Sequence, residues 1–308
     1  MAQPGSALAW GARGPRFKSA RPDQFSSPAR RTDPQASQPR GIYRSRNTEA
    51  VRVTAKLPRI LVTNDDGIDS EGLLALSAAL SALGEVTSVA PVEERSASSH
   101  SISLFRPLRY ERLGSDRYAV HGTPADSVIL AVNHILPQKP SLVVSGINKG
   151  ANLGLNVFYS GTVSAAVEGM LHGIPSFAIS ICSKKHFQFE PVASFAAQLA
   201  ALILQEGLPA GVMLNVNVPP GWSHGVCLTQ RSHRHARRLV LEKDIASESD
   251  SYWIREQIEE AKIPPNSDHA AVRRGHISIT PLAFDGLDLP GLDWLEQWVQ
   301  SLPTPPAP

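Results

Sequence analysis

The sequence predicts an α/β protein built on a doubly wound, mostly parallel, Rossmann-like sheet. Short apolar runs rich in β-branched residues alternate along the chain with amphipathic segments of helical period. This alternation is typical of parallel strands joined by crossover helices that cover both faces of a sheet. The composition supports a globular core, since 42% of the 308 residues are hydrophobic and 19% are charged.

The two ends of the chain are predicted to lie outside this fold. The first 55 residues contain ten Arg or Lys and only three acidic residues, and they show no apolar period. Such a segment buries too little apolar surface to offset the entropy lost on ordering. We therefore expect a disordered basic extension over residues 1–57, an α/β core over 58–228, a C-terminal arm and oligomerisation segment over 229–302, and a disordered tail over 303–308.

The first half of the core is predicted to begin with a buried strand. Arg59–Thr63 is a β-branched run that ends in a polar turn. Asp69 and Ser70 offer caps to a following leucine-rich helix, which Gly84 closes. The remaining elements of this half are a strand over residues 85–90 and a hairpin formed by residues 106–112 and 117–121.

The second half is predicted to continue the same alternation. Thr123 and Pro124 begin a helix that we expect to reach Leu136, because proline is favoured at the first helical position after a capping hydroxyl. The later elements are strands over residues 141–145, 175–181 and 212–218, and helices over residues 162–172 and 191–206.

Polar residues follow the predicted strands over residues 59–63, 85–90 and 141–145. The carboxyl ends of such strands form the sheet edge where ligands bind in this type of fold. Asp65 and Asp66 follow the first strand directly, and Gly67 permits the tight turn that aims both carboxylates inward. Adjacent carboxylates repel each other, so a hard divalent cation is an economical reason to place them together. The alternative is that this segment forms only a turn and a helix cap.

The chemistry of the predicted ligands narrows the choice of metal. The strand ends offer oxygen atoms of Asp, Ser and Asn and, apart from His100, no imidazole or thiolate. Oxygen ligands suit Mg²⁺ or Mn²⁺, with Ca²⁺ as a further candidate, rather than zinc. We expect one such cation in each subunit.

A second predicted feature is an anion site at the start of a helix. Ser160, Gly161 and Thr162 stand directly before a helical segment, where free backbone N–H groups and hydroxyls can hold a phosphate. The preceding glycine-rich loop, residues 146–154, matches neither a Walker A loop nor the dinucleotide fingerprint. An anion site beside a hard cation indicates phosphate-ester chemistry, and the alternative is a helix cap without a ligand.

Several motifs, in order along residues 58–285, resemble the SurE family of 5'/3'-nucleotidases. The resemblance implies a metal-dependent phosphatase that acts on nucleoside monophosphates, with a C-terminal hairpin and helix that build a homodimer or homotetramer. It also implies a metal held by Asp65, Asp66, Ser96 and Asn148, and a substrate site that includes Asn64 and Asn152 besides residues 160–162. The motifs are Asn64–Gly67, Val89–Ser96, Gly122–Asp126, Ser145–Gly154, Tyr159–Val163, Leu214–Pro219, Tyr252–Ile254 and Ser267–Leu282.

The reaction we expect is hydrolysis of nucleoside 5'-monophosphates by a water that the cation activates, with 3'-monophosphates as an open alternative. Asp65 or Asp66 binds the ion, and one of them accepts the proton of the water. No serine or cysteine stands in a G-x-S-x-G elbow, so a covalent intermediate is not indicated. The alternative function is a catalytically weak stress protein that binds metal and nucleotide.

Composition also limits the partners and the location. A net charge of +2 does not predict a nucleic-acid polymer as partner, and no apolar stretch of about 18 residues predicts a membrane span. Cys182 and Cys227 are expected to be inert structural thiols, which fits the cytoplasm. The alternative location is an organelle addressed by the basic extension.

Two C-terminal segments remain open. The basic residues between 229 and 251, among them Arg231, form either a solvated arm or dimer contact or a rim that steers phosphate. The amphipathic stretch near the C-terminus suits packing in an oligomer. Its apolar residues are Leu292, Leu295, Trp298, Val299 and Leu302.

Overall fold

The computed structural model describes residues 57–302, except residues 184, 223, 233–236, 245–250, 260–261 and 284–292. Residues 1–56 of the predicted extension and the predicted tail over 303–308 lie outside the described residues. The predicted domain limits stay a prediction.

Eleven strands and six α-helices occur in the described residues. The strands are β1 (Arg59–Thr63), β2 (Glu85–Pro91), β3 (Tyr110–Arg112), β4 (Arg117–Val120), β5 (Leu142–Lys149), β6 (Ser176–Ile181), β7 (Val212–Val218), β8 (Val226–Leu228), β9 (Arg237–Lys243), β10 (Tyr252–Ile258) and β11 (Ile277–Ala283). The helices are α1 (Glu71–Leu80), α2 (Pro124–Leu130), α3 (Gly161–Leu171), α4 (Phe189–Glu206), α5 (Asp268–Arg273) and α6 (Asp293–Ser301).

Nine of these strands form one sheet in the order β3-β4-β2-β1-β5-β6-β7-β11-β8. The central pairs are parallel, from β4 beside β2 through to β6 beside β7. The pairs β3–β4 and β7–β11 are antiparallel. From β1 the chain first builds the sheet to one side, through β2 and β4, and then to the other side, through β5, β6 and β7. This order confirms the predicted doubly wound α/β fold.

Helices cover both faces of the sheet, each through its apolar side. Leu73 of α1 and Leu199 of α4 are fully buried in one apolar cluster with Phe177 of β6. Val128 of α2 and Ala165 of α3 are buried in a different cluster. The sheet is therefore apolar on both faces, which is why its central strands read as continuous hydrophobic runs.

Strand β5, predicted over residues 141–145, is longer than predicted. It continues past Ser145 to Lys149, with an irregularity in its pairing to β6 between Ser145 and Asn148. Gly146 allows this irregularity because its φ of 144° lies in a region that side chains disfavour. The predicted helix from Thr123 also differs, since its α-helical part ends at Leu130 and a π-helical turn completes it to Ile135.

The C-terminal part contributes to the main sheet and to a separate ribbon. Strand β11 lies between β7 and β8, whereas β9 and β10 pair only with each other. Trp298, Val299 and Leu302 pack against the main apolar cluster, so the end of α6 lies on the core of its own chain. Leu292 lies outside the described residues. None of the helices that the structure describes is long and apolar enough to cross a membrane.

Candidate active site

Parallel pairing brings two of the polar strand ends together. Thr63, the last residue of β1, is the register partner of Ser145 on β5. The residues that follow each strand therefore meet at one edge of the sheet. The contact is direct, since the backbone N–H of Lys149 donates to a carboxylate oxygen of Asp66 over 3.3 Å.

Asp65 is the more deeply buried acid of the pair, with 5% of its surface exposed. The pKa of its carboxyl is raised from 3.8 to about 6, mainly by desolvation and to a smaller extent by the neighbouring charge of Asp66. The Thr162 hydroxyl opposes this rise by donating a hydrogen bond to Oδ1 of Asp65. A carboxylate with such a pKa is partly protonated near neutral pH when no cation is nearby.

Asp66 is half-buried, and its pKa is also raised by desolvation. The Lys149 backbone N–H and its charge lower this pKa, whereas the nearby carboxylate of Glu94 raises it. Sequence reasoning expected the loop after β2 at this edge of the sheet but did not single out Glu94, because the pattern does not show which side chain of the loop lies near the acidic pair.

Asn64 shapes the turn that carries the acidic pair. Its side-chain amide donates to the carbonyl of Gly67 over 3.0 Å and to the Ser70 hydroxyl over 2.6 Å. The same hydroxyl caps α1 by accepting from the N–H of Leu73. The turn and the helix cap are thus both present, and the bonds that form them come from Asn64 and Ser70 rather than from the carboxylates of Asp65 and Asp66. The carboxamide oxygen of Asn64 is buried without a hydrogen-bond partner.

The loop after β2 reaches the acidic pair through its backbone. The N–H of Arg95 donates to the carbonyl of Asp65 over 2.7 Å. Ser96, a predicted metal ligand, is exposed, and its hydroxyl donates to Glu94 over 2.6 Å. Ser98, which sequence reasoning missed, has a buried hydroxyl without a partner beside Gly161.

Asn148 combines the two interpretations that the sequence allows. Its side-chain N–H donates to the carbonyl of Gly150 over 2.7 Å, which fixes the start of the glycine-rich loop. This bond uses the amide nitrogen and leaves the carboxamide oxygen available as a ligand atom. Loop bonding and metal binding are therefore compatible in one side chain.

Asn152, a predicted substrate contact, belongs to a buried network under the loop. Its side-chain amide donates to the Ser180 hydroxyl over 2.9 Å, and its backbone N–H donates to Asn217 over 2.9 Å. The carbonyl of Asn152 accepts from Asn215 over 2.8 Å and from Asn217 over 3.1 Å. The structure thus gives Asn152 a supporting position on the ends of β6 and β7.

The start of α3 packs directly on Asp65. The Ser160 hydroxyl is the helix cap and accepts from the N–H of Val163 over 3.1 Å. A Cβ at Gly161 would lie 2.7 Å from Cβ of Asp65 and 2.9 Å from Oγ of Ser98. The hydroxyls of Ser160 and Thr162 are thus engaged within the protein, and the missing side chain of Gly161 is what lets the helix start approach the carboxylate.

These residues fit a hard divalent cation. Asp65 and Asp66 are adjacent carboxylates with raised pKa values, and binding a cation would relieve their mutual repulsion. Asn148 precedes Lys149, whose N–H donates to Asp66, so its amide oxygen is a candidate third ligand. Among the described residues, no cluster of three or more His, Cys, Asp or Glu side chains could hold a metal. A cation here would therefore rely on Asn and Ser oxygens as well as the two acids.

The cysteines and the basic segment are the remaining predicted features. Burial raises the pKa of the Cys182 thiol to about 12 and also raises that of Cys227, as expected for unreactive thiols. In the basic segment, the Arg231 guanidinium lies 5.0 Å from the centre of the Phe158 ring. His233, Arg234 and His235 lie outside the described residues.

Comparison with known proteins gives one consistent result. The family model described as Survival protein SurE matches residues 60–238. A protein named 5'-nucleotidase SurE from Moorella thermoacetica is 44% identical over an alignment of 234 residues, and the match covers 73% of this chain and 90% of that protein. Its counterpart from Aeromonas hydrophila subsp. hydrophila is 45% identical over an alignment of 250 residues, and the match covers 78% of this chain and 98% of that protein.

A solved structure agrees with the sequence relatives. The crystal structure of the SurE protein from Aquifex aeolicus superposes with a TM-score of 0.68 at 38% identity, covering 78% of this chain and all of that one. Identity at this level over most of both chains establishes common descent, and the chain belongs to the SurE family.

Proposed function

We propose that this protein is a metal-dependent phosphomonoesterase that hydrolyses nucleoside 5'-monophosphates to nucleoside and phosphate. The observation that carries the proposal is the packing of the α3 start on Asp65, the neighbour of Asp66 in the acidic pair. This arrangement sets a helix N-terminus, which favours phosphate, beside a group that favours a cation. The relatives named 5'-nucleotidase SurE supply the substrate class.

Asp65, Asp66 and the amide oxygen of Asn148 would hold the cation, and Ser96 would join them after leaving Glu94. When bound, the cation withdraws charge from the phosphoryl oxygens and activates a water molecule for attack. The chain itself positions Asp65 through the Thr162 hydroxyl and brings the helix start close through Gly161. One of the two acids accepts the proton of the attacking water.

Phosphate release from AMP and from an aryl phosphate, measured with Mn²⁺ or Mg²⁺ and with a chelator, tests this proposal. We expect release that needs the metal and that the chelator abolishes. Asp69→Asn is a matched control, because Asp69 lies in the same turn segment but its side chain is 81% exposed and pairs with Arg117. Chelator-insensitive release would overturn the metal dependence, and no release with any metal would favour the catalytically weak binding protein.

We also infer a homodimer or homotetramer built through the ribbon of β9 and β10. Leu241 and Ile254 are register partners on one face of this ribbon, and each is 70% exposed. Leu239 and Tyr252, two positions along, share the same face and are also exposed. A two-stranded ribbon with an open apolar face is marginally stable alone, which supports a second copy as its cover.

We infer a cytoplasmic location, with an organelle as the alternative if the basic extension acts as an address. Cys182 and Cys227 are both free thiols, which fits a reducing compartment.

A further inference from the structure

Asp268, at the start of α5, is fully buried. Its Oδ1 accepts from the backbone N–H and the hydroxyl of Ser232, over 3.0 and 2.5 Å, and from the N–H of His269 over 2.8 Å. Its Oδ2 accepts from the backbone N–H of Gly154 over 2.7 Å. One carboxylate therefore joins α5, the C-terminal arm and the glycine-rich loop, which is 114 residues earlier in the chain.

The three residue types Ser232, His269 and Asp268 do not form a nucleophile triad. Ser232 and Asp268 both contact the same ring nitrogen, Nδ1 of His269, over 2.9 and 3.2 Å. The Ser232 hydroxyl also donates to Asp268, and Ser232 is 1% exposed. No route leads a proton from the serine through the ring to the acid, so the cluster is suited to holding backbone in place.

The segment that Asp268 holds connects two parts of the candidate active site. Asn148 precedes it, and Ser160, the cap of α3, follows it. Consecutive turn bonds transmit the position of Gly154 forward: Asn156 N–H donates to the carbonyl of Leu153 over 3.0 Å, and Ser160 N–H donates to that of Asn156 over 3.1 Å. A shift of Gly154 would therefore move the helix start that packs on Asp65.

Gly154 has little freedom on the other side of this junction. Its φ is 55°, and a Cβ there would lie 2.9 Å from Cε1 of His269. The loop thus approaches α5 as closely as a glycine allows.

We propose that Asp268 is a positioning residue for the phosphatase site, which it serves by fixing the loop of residues 150–158 through the Gly154 N–H. The inference rests on the proposed function. The Asp268 carboxylate acts at a distance from the site. It accepts hydrogen bonds from groups of the loop and the arm, and it does not contact Asp65 or Asp66 in these bonds. Asp268 also binds Ser232 of the C-terminal arm. The position of the arm is therefore coupled to the geometry of the site through the same carboxylate.

Asp268→Asn tests this proposal, because the amide nitrogen would face N–H and O–H donors. We expect kcat for AMP to fall about 10–100-fold, the scale of an ångström-sized misplacement. The dissociation constant for Mn²⁺ alone should change less than about threefold, because Asp65 and Asp66 lie outside the loop and Asn148 bonds to Gly150, four residues before Gly154. Hydrogen exchange of the metal-free protein should quicken in peptides covering residues 150–158 and stay unchanged in β1 and β6.

Gly154→Ala attacks the same junction from the loop and leaves the carboxylate intact. It should reproduce the loss of kcat and the faster loop exchange, and it decides the matter if Asp268→Asn does not fold. Ser278→Ala is the matched control, because it removes a buried 2.7 Å hydrogen bond to Thr229 in the same arm without touching Asp268. This control should lower the unfolding temperature but keep kcat within about twofold.

The proposal is overturned if a folded Asp268→Asn or Gly154→Ala protein keeps kcat within about twofold of the parent and normal loop exchange. It is equally overturned if Ser278→Ala loses kcat to the same extent, since the effect would then be general destabilisation. An inactive parent protein would contradict the proposed function instead, and the exchange measurement would still report on the loop.

Discussion

The hydroxyl of Thr162 donates a hydrogen bond to the carboxylate of Asp65, although the two residues are 97 positions apart. Thr162 lies in the first turn of α3 and Asp65 directly follows β1. The contact joins the group predicted to bind a cation to the helix start predicted to bind phosphate. The two expected subsites are therefore neighbours in the fold.

The first prediction concerns the charge of the acidic pair. Asp65→Asn and Asp66→Asn keep side-chain volume but remove a carboxylate, so both proteins should fold. Turnover of AMP should fall by about 10²-fold or more, which corresponds to about 2.7 kcal/mol of barrier. Initial rates at saturating Mn²⁺ measure this effect, with Asp69→Asn as the control. Near-normal rates in both variants would leave the acids as a turn and cap only.

The second prediction concerns the stability of the metal-free protein. The folded-state pKa of Asp65 is about 6, above its usual 3.8, so the folded state binds more protons than the unfolded state between these values. This group therefore favours folding at low pH, and its contribution is lost as the pH rises through about 6. The shift corresponds to about 3 kcal/mol.

Asp65→Asn removes the free-energy cost of burying an ionised carboxylate. In the presence of chelator, the Tm of this variant at pH 7.5 should therefore exceed that of the parent by about 5–10 °C. The difference should shrink as the pH approaches 4. Thermal scans at several pH values measure it. A variant that is less stable than the parent at pH 7.5 would show that the ionised carboxylate is satisfied without a cation.

The third prediction separates the two functions of Asn148. Asn148→Asp and Asn148→Ala both lose the N–H that donates to Gly150, so both should loosen the loop. If the oxygen is a ligand, Mn²⁺ binds more tightly to the Asp variant and more weakly to the Ala variant. Turnover falls in both, in the Asp variant because a third negative charge opposes the substrate. Calorimetric titration with Mn²⁺ measures these affinities. Equal Mn²⁺ affinities in the parent and both variants would remove Asn148 from the ligand set.

The fourth prediction concerns the close approach of α3. Gly161→Ala places a Cβ 2.7 Å from Cβ of Asp65, so the helix start or the carboxylate must move. We expect turnover to fall about 10-fold or more, the scale of a small misplacement at a site. Gly114→Ala is the control, because its nearest atom would be 4.0 Å away. Unchanged rates for Gly161→Ala would show that the contact yields without affecting the site.

The fifth prediction concerns assembly. Leu241→Asp places a charge on the exposed apolar face of the β9–β10 ribbon, where Ile254 is its partner. We expect light scattering to show a smaller particle than the parent forms. Glu242→Gln on the opposite face of the ribbon is the control. A parent protein that is monomeric at micromolar concentration would contradict the inferred oligomer.

The sequence by itself determined the fold class and predicted which segments meet at the candidate site. Apolar runs and the 3.6-residue helical period are local patterns, and they located the core strands and helices before any contact was known. The acids after β1 and the cap before α3 were likewise visible as turn and cap chemistry. Their meeting followed from a rule of parallel sheets, which place the carboxyl ends of their strands at a common edge.

Only the tertiary structure decided which atoms each side chain uses. Ser96 faces Glu94, Asn152 supports the loop from below, and Thr162 holds Asp65. Asp268 joins the arm to Gly154 across 114 residues, a contact that no local pattern could indicate. Hydrogen-bond partners depend on angles and distances between segments far apart in the chain, whereas periodicity reports only the burial of each segment, so the partners emerge when the whole chain packs.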